Sequence, residues 1–168
     1  IIRCFKKRVC KLTVFRADAT AEEILAVNPD LVFLSNGPGD PEDLPDVLEN
    51  IKKLAGKKPL VGICLGHQLL ALALGGKTTK MKFGHRGSNH PVKDLESNKV
   101  TITSQNHGYV VETVPENMVA THIDINDGTI EGMKHKTLPI FSVQFHPEAS
   151  AGPKDSEYIF DKFMEYAL

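Results

Sequence analysis

The chain has 168 residues, 41% hydrophobic and 24% charged, which is the profile of a globular domain rather than a disordered one. Lys and Arg number 20 and Asp and Glu 21, a formal net charge of −1 that argues against a general nucleic-acid binder. No apolar run approaches the ~18 residues of a membrane helix, and Ile1–Cys10, with its four basic residues, lacks the apolar core of a signal peptide.

In chain order, Ile2–Lys7 reads as a helix and Lys11–Phe15 as a strand. Thr20–Val27 reads as a helix: Thr20 and Glu23 stand at capping-box spacing, and Asn28-Pro29 ends it. Leu31–Leu34 is a short apolar run, as in a strand covered on both faces. The loop Ser35-Asn36-Gly37-Pro38-Gly39-Asp40-Pro41 follows. Pro45–Ala55 is a helix stopped at Gly56, Pro59–Ile63 a buried strand, and Leu65–Leu74 a helix stopped by Gly75-Gly76.

The texture then changes. Lys77–Lys82, Lys99–Thr103, Tyr109–Glu112, Met118–Ile123 and Ile130–Met133 read as short strands, with Asn126-Asp127-Gly128 turning between the last two. Ile140–Phe145 is an apolar strand. Asp155–Tyr166 is a helix striped by Ile159, Phe160, Phe163 and Met164. Alternating strand and helix in the first half predict an α/β fold: a mostly parallel central sheet with helices on both faces, plus a β-rich extension. One domain over 1–168 is expected. The first residue is not Met and the first helix has no strand before it, so a fragment or processed chain, without its first strand, is expected.

Cys4, Cys10 and Cys64 contain no C-x-x-C pair, which excludes a thiolate zinc site and a disulfide framework and fits a reducing, cytoplasmic setting. Cys64 has a special context. Gly62-Ile63-Cys64-Leu65-Gly66 follows a buried strand and opens a helix, the pattern of a nucleophile elbow with Cys in place of Ser. Such a turn projects the side chain at the carboxyl end of the sheet, where open α/β folds bind ligands. It also places the thiol at a helix N-terminus, whose dipole favours an anion. The backbone N–H of Leu65 can meet an oxyanion there. A buried structural role is the commoner fate of a cysteine, and Cys4 and Cys10 are assigned to packing.

A thiol nucleophile needs a base. Of the seven histidines, His67 lies on the helix after Cys64 with its side chain turned away and reads as structural. His85 and His90 share a loop, Gly84–Pro91, that could hold a metal pair, but no third ligand is evident and no metal is expected. His122 and His135 read as surface or sheet residues, and His107 carries no role of its own. His146 ends an apolar strand and precedes Pro147-Glu148; in an extended segment Glu148 points the same way and can fix its tautomer. The Asn36–Asp40 loop should lie beside Cys64, with Gly39 as second oxyanion donor, although taken alone it is an ordinary Gly-Pro turn.

Two patterns fail. Gly76-Lys77-Thr78 lacks the first P-loop glycine, because position 71 is Ala71, and it follows a helix. In Asp124–Gly128 the glycine comes one position too early for a calcium loop.

Together, Ser35–Pro41, Gly62–Ala73, Met81–Gly87, Asn89–Lys93, Gln105–Tyr109 and His146-Pro147-Glu148-Ala149-Ser150 resemble the class I glutamine amidotransferases over essentially the whole chain. The elbow and the His-x-Glu are common to that family. Lys82-Phe83-Gly84-His85, Asn89-His90-Pro91-Val92 and Gln105-Asn106-His107-Gly108 resemble the branch that serves carbamoyl phosphate synthesis. The resemblance implies a flavodoxin-like sheet. It also implies Cys64 as nucleophile, His146 as general acid/base and Glu148 as its partner. Gly39 and Leu65 match the oxyanion positions, and Gly37, Gln68, Asn106, Gly108 and Tyr109 the glutamine-binding ones. Tyr109 stands where Phe is frequent, and Val9 where a Gly is frequent; both changes look tolerable.

The implied chemistry is hydrolysis of the glutamine side-chain amide through a γ-glutamyl thioester. No cofactor is implied for this chain; ATP and Mg are expected on a synthetase large subunit that uses the ammonia, in pyrimidine and arginine synthesis. In that family the small subunit carries a further N-terminal domain that this sequence lacks, with one glutamine contact. Low activity without the partner is expected. The glutaminase of GMP or anthranilate synthesis, a free-standing cysteine hydrolase and a non-catalytic metabolite-binding module remain alternatives; intact Cys64, His146 and Glu148 disfavour the last.

Overall fold

The computed structural model describes residues 1–149 and 152–167. Its elements are helices α1 (Ile2–Lys6), α2 (Ala21–Ala26), α3 (Pro45–Leu54), α4 (Leu65–Ala73) and α5 (Tyr158–Glu165), and strands β1 (Val32–Leu34), β2 (Leu60–Ile63), β3 (Lys77–Asp94), β4 (Val100–Thr113), β5 (Met118–Asp124), β6 (Ile130–His135) and β7 (Ile140–Val143). Local chemistry accounts for several boundaries. Thr20 and Glu23 form the reciprocal capping box at α2. Pro45 opens α3, where its missing N–H has no helical partner to lose. Gly56, at φ +79°, follows the end of α3.

All strands join one sheet, in the order β1-β2-β7-β6-β4-β3-β5. The expectation of a mostly parallel sheet is corrected. Only β1–β2 and β2–β7 are parallel; β3–β4, β3–β5, β4–β6, β5–β6 and β6–β7 are antiparallel. Pairings running β3–β4–β6–β5 and back to β3 close a small barrel-like ring, and β6 joins that ring to β7. The β-rich middle is therefore more than half of the sheet, and the parallel part is its three-stranded flank.

That flank is covered twice. Leu60 of β2 and Ile140 of β7 pack with Ile51 and Leu54 of α3 and with Leu69, Leu70 and Ala73 of α4. Val61 and Ile63, with Phe141 and Val143, face the other way against Cys4 and Phe5 of α1 and Ile159, Phe160 and Phe163 of α5. Alternation along β2 and β7 sorts these residues to the two faces. Each buried apolar side chain of this kind contributes about 1.5–3 kcal/mol.

Other differences from the expected elements have local causes. Lys11–Phe15 is not a strand; positions 11–16 are exposed and pair with no strand among the described residues. The expected 84–91 loop is part of β3, whose pairing with β4 absorbs irregularities after Lys80 and Gly87. The two strands expected around Gln105–Gly108 are one, β4. The last helix starts at Tyr158 rather than Asp155, and β7 ends at Val143. Val9 sits at φ +60°, a strained setting for a β-branched residue that accounts for glycine being favoured there. Ser150, part of the His146–Ser150 motif, lies outside the described residues, as do Ala151 and Leu168. No described helix is long and apolar enough to cross a membrane.

Candidate active site

β2 is wholly buried and delivers the chain into the elbow. Cys64 has φ +53° and ψ −105°, which a non-glycine residue adopts at a cost of about 1–3 kcal/mol. Its N–H donates to Val143 O at 2.9 Å, tying the elbow to β7. A Cβ on Gly62 would lie 2.8 Å from the carbonyl carbon of Gly66, so the strand and helix can meet only where side chains are missing. The N–H groups of the first turn of α4, Leu65 included, have no helical acceptor.

Cys64 opens into a cavity of about 340 Å³, within the range of small-ligand sites. The Asn36–Gly39 loop after β1 forms one wall; Asn106–Tyr109 of β4 form the other. Gln68 and His146 complete it, and Gly39 stands at φ +96°. Of the residues singled out from sequence, Gly37, Gly39, Cys64, Gln68, Asn106, Gly108, Tyr109 and His146 line this one cavity. Leu65 does not line it. Glu148 lies behind His146 and lines a neighbouring depression.

His146 Nδ1 and Glu148 Oε1 are 2.8 Å apart. The segment is a turn, with Ala149 N–H donating to His146 O, so Glu148 arrives by chain reversal and not by strand alternation. His146 N–H donates to Ser104 O, fixing the backbone against β4. Burial works against a charged ring here, but hydrogen bonds and charge from Cys64 and Glu148 outweigh it and hold His146 up to about 10. With Nδ1 taken by Glu148, Nε2 is the nitrogen left for the thiol.

Gln68 is pinned: its Nε2 donates to Tyr109 O (2.8 Å) and Gln144 Oε1 (3.0 Å), leaving its own Oε1 for a ligand. The Tyr109 carbonyl also accepts from His107 Nδ1. The Tyr109 hydroxyl is raised above its usual range by a hydrogen bond and charge from Asp40, which brings the two walls together. Sequence reasoning gave no role to two lining residues, Arg86 and His107. Arg86 brings a cation and donates from Nη1 to Phe83 O. Both residues sit inside motifs singled out in the sequence, so position relative to Cys64 was the missing signal.

His67 is fully buried, bonded through Nδ1 to Ser142 Oγ (2.9 Å) on β7. Burial, then His107 and His122, push it down to about 3. The unfolded chain binds this proton below about 6.5 and the folded chain does not. Stability should therefore fall as pH drops from about 6.5 towards 3, by about 1.4 kcal/mol per pH unit for this residue. Urea unfolding of wild type and His67→Gln at pH 7 and pH 5 measures it; equal losses in both proteins would remove His67 as the cause.

The remaining histidines lie on strands. His122 is buried in β5 and His135 half-buried on β6, both sheet residues as expected. His85 and His90 lie on β3, with Asp124 of β5 close to both. The Asp124–Gly128 segment, which fails as a calcium loop, thus carries its acids to the histidines of another strand.

The chain matches the family model "Glutamine amidotransferase class-I" over residues 1–166. It is 73% identical over 168 residues to the carbamoyl phosphate synthase small chain of Clostridium perfringens, covering 100% of this chain and 48% of that protein. It is 60% identical over 166 residues to the carbamoyl phosphate synthase pyrimidine-specific small chain of Bacillus subtilis, covering 98% of this chain and 46% of that protein. The chain thus spans about half the length of the curated relatives it matches. Among solved structures it resembles a GMP synthase subunit of Thermoplasma acidophilum, with TM-score 0.85 and 24% identity over 98% of this chain and 85% of that one, a likeness of fold. With a cysteine elbow and a His–Glu pair gathered over one cavity, and with that match along almost its whole length, the chain belongs to the class I glutamine amidotransferase family.

Proposed function

We propose that this domain hydrolyses the side-chain amide of glutamine and passes the ammonia to a synthetase large subunit that makes carbamoyl phosphate. The observation that carries the chemistry is the strained Cys64 elbow, set in one cavity with a His146 ring that Glu148 holds by Nδ1. The observation that favours this synthetase is the high identity to proteins named carbamoyl phosphate synthase small chain.

Glutamine enters with its carboxamide at Cys64. With the proton already on His146 Nε2, the Cys64 sulfur attacks the amide carbon. N–H groups of Leu65 and Gly39 receive the oxyanion, each such donor being worth about 100-fold or more in rate. His146 returns its proton to the departing nitrogen, leaving a γ-glutamyl thioester and ammonia. The same ring then takes a proton from water, which attacks the thioester and releases glutamate. Gln68 Oε1, Asn106, Gly108 and the Gly37 backbone hold the substrate, and Arg86 offers a guanidinium for its α-carboxylate. ATP and Mg belong to the large subunit; this chain's part needs no cofactor.

Glutamate release by this chain is measured alone, with a carbamoyl-phosphate synthetase large subunit, and with a GMP synthetase ATP-pyrophosphatase partner. Weak release alone that rises only with the first partner is expected. Release that rises only with the second reassigns the synthetase, and full release without either points to a free-standing hydrolase.

A further inference from the structure

Beside the glutamine cavity but outside its lining, four side chains from three strands converge: His85 and His90 of β3, Asp124 of β5 and Glu131 of β6. Asp124 and Glu131 are almost wholly buried, at 1% and 0% exposure. No lysine or arginine forms an ion pair with either among the described residues. Buried carboxylates are expensive unless paired or bound to metal. Asp124 Oδ2, Glu131 Oε1 and His85 Nδ1 are also buried with no hydrogen-bond partner among the described residues. Three such atoms in one place call for a common explanation.

The spacing supplies one. His90 Nδ1 lies 3.6 Å from Asp124 Oδ2, and His85 Nδ1 lies 3.6 Å from Glu131 Oε1. Both are too long for a good hydrogen bond. They are close to the separation of about 3.4 Å between neighbouring donors around a tetrahedral ion with bonds of ~2.1 Å. His85, His90 and Asp124 each offer one donor atom, all within 4.8 Å of one another.

The outer contacts also fit. His85 Nε2 donates to Asp127 Oδ2 (2.7 Å), and His90 Nε2 faces the Arg86 carbonyl at 3.4 Å. Each ring is thus held by an acceptor on one nitrogen, the arrangement that orients imidazoles around metals. In a second possible triad, His85 with His107 and Glu131, His107 has both nitrogens engaged, by Tyr109 O and Gln105 Oε1.

We propose that His85, His90 and Asp124 bind one divalent transition-metal ion, zinc by donor type, whose remaining position holds a water bonded to Glu131. Two imidazoles and a carboxylate suit zinc, whereas calcium and magnesium prefer all-oxygen sites. The three unpartnered atoms all gain partners in this arrangement. The ion ties β3 to β5, whose own ladder covers only Val92–Asp94, and so braces the ring next to the Asn106–Tyr109 wall.

The test uses the chain with Cys64→Ser, which removes the one nucleophilic thiol in the glutamine cavity. After Zn²⁺ loading and desalting, one equivalent per chain is expected by elemental analysis. Co²⁺ should give the visible bands of a tetrahedral ion with no thiolate charge-transfer band. Zn²⁺ should raise the thermal midpoint, and Ca²⁺ and Mg²⁺ should not. His90→Ala, at a partly exposed position, and Asp124→Asn should each abolish the stoichiometric ion, while Asp127→Asn should weaken it about 10–100-fold. The proposal is overturned by substoichiometric zinc in the parent. It is equally overturned by binding that survives both His90→Ala and Asp124→Asn, or by a thiolate band. Loss only on His107→Asn would move the ion to the other triad and refute this ligand set.

Discussion

Cys64→Ala should reduce partner-stimulated glutamine hydrolysis by about 10⁴-fold or more, to the level left by binding alone, because residues acting as one unit fail together. His146→Ala should cost about as much, and adding it to Cys64→Ala should cost almost nothing further. Glu148→Gln should be milder and change the pH profile instead. Departure of ammonia needs the proton on His146, which burial disfavours and which Cys64 and Glu148 hold up to about 10. Activity that needs this proton is present below that value and lost as pH rises through it. Replacing the Glu148 carboxylate by an amide removes part of the support, so the alkaline loss should begin at lower pH. Glutamate release between pH 6 and pH 11 for the four variants checks this; additive losses for Cys64 and His146, or an unmoved limb in Glu148→Gln, would show that they do not act as one device.

The elbow and its loop were legible in sequence because their chemistry is local. Gly62, Cys64 and Gly66 occupy a few consecutive positions between a buried strand and a helix, and the Asn36–Asp40 loop ends the neighbouring strand. His146 and Glu148 were legible as a pair, but for a reason the fold does not use: a turn joins them. The β-rich half was the least legible. Its strands are irregular and two-sided, so Gly84, Gly87 and Pro91 look like breaks while β3 runs through all three, with irregularities only after Lys80 and Gly87 in that stretch. Long-range pairing decides such segments, and no local propensity records it. The same gap hid Asp124 from His90: their meeting depends on β5 closing against β3. Lys11–Phe15 failed in the opposite way, since an alternating apolar pattern makes a strand only where another strand pairs with it.

Gly66→Ala should damage both stability and activity, although it adds a single methyl at a residue outside the cavity lining. The new Cβ would overlap the backbone oxygen and carbon of Leu34, the last residue of β1. Backbone in a packed parallel pair cannot swing aside as a side-chain tip can, and β1 is held to β2 through Val32, Phe33 and Leu34. Relief must come from α4 moving off the sheet, at about 3 kcal/mol or more. That motion carries Cys64 and the Leu65 N–H with it, and a misplacement of ~1 Å can cost about 100-fold in rate. Gly128→Ala is the control: its φ of +75° disfavours a side chain, but a Cβ there meets nothing within 4 Å. It should cost about 1 kcal/mol and leave turnover unchanged. Equal behaviour of the two variants in urea unfolding and glutamate release would show that the close approach of α4 to β1 does not set the elbow. A large activity loss in Gly66→Ala with an unshifted unfolding midpoint would show that the elbow tolerates the methyl without strain and is sensitive only in its geometry.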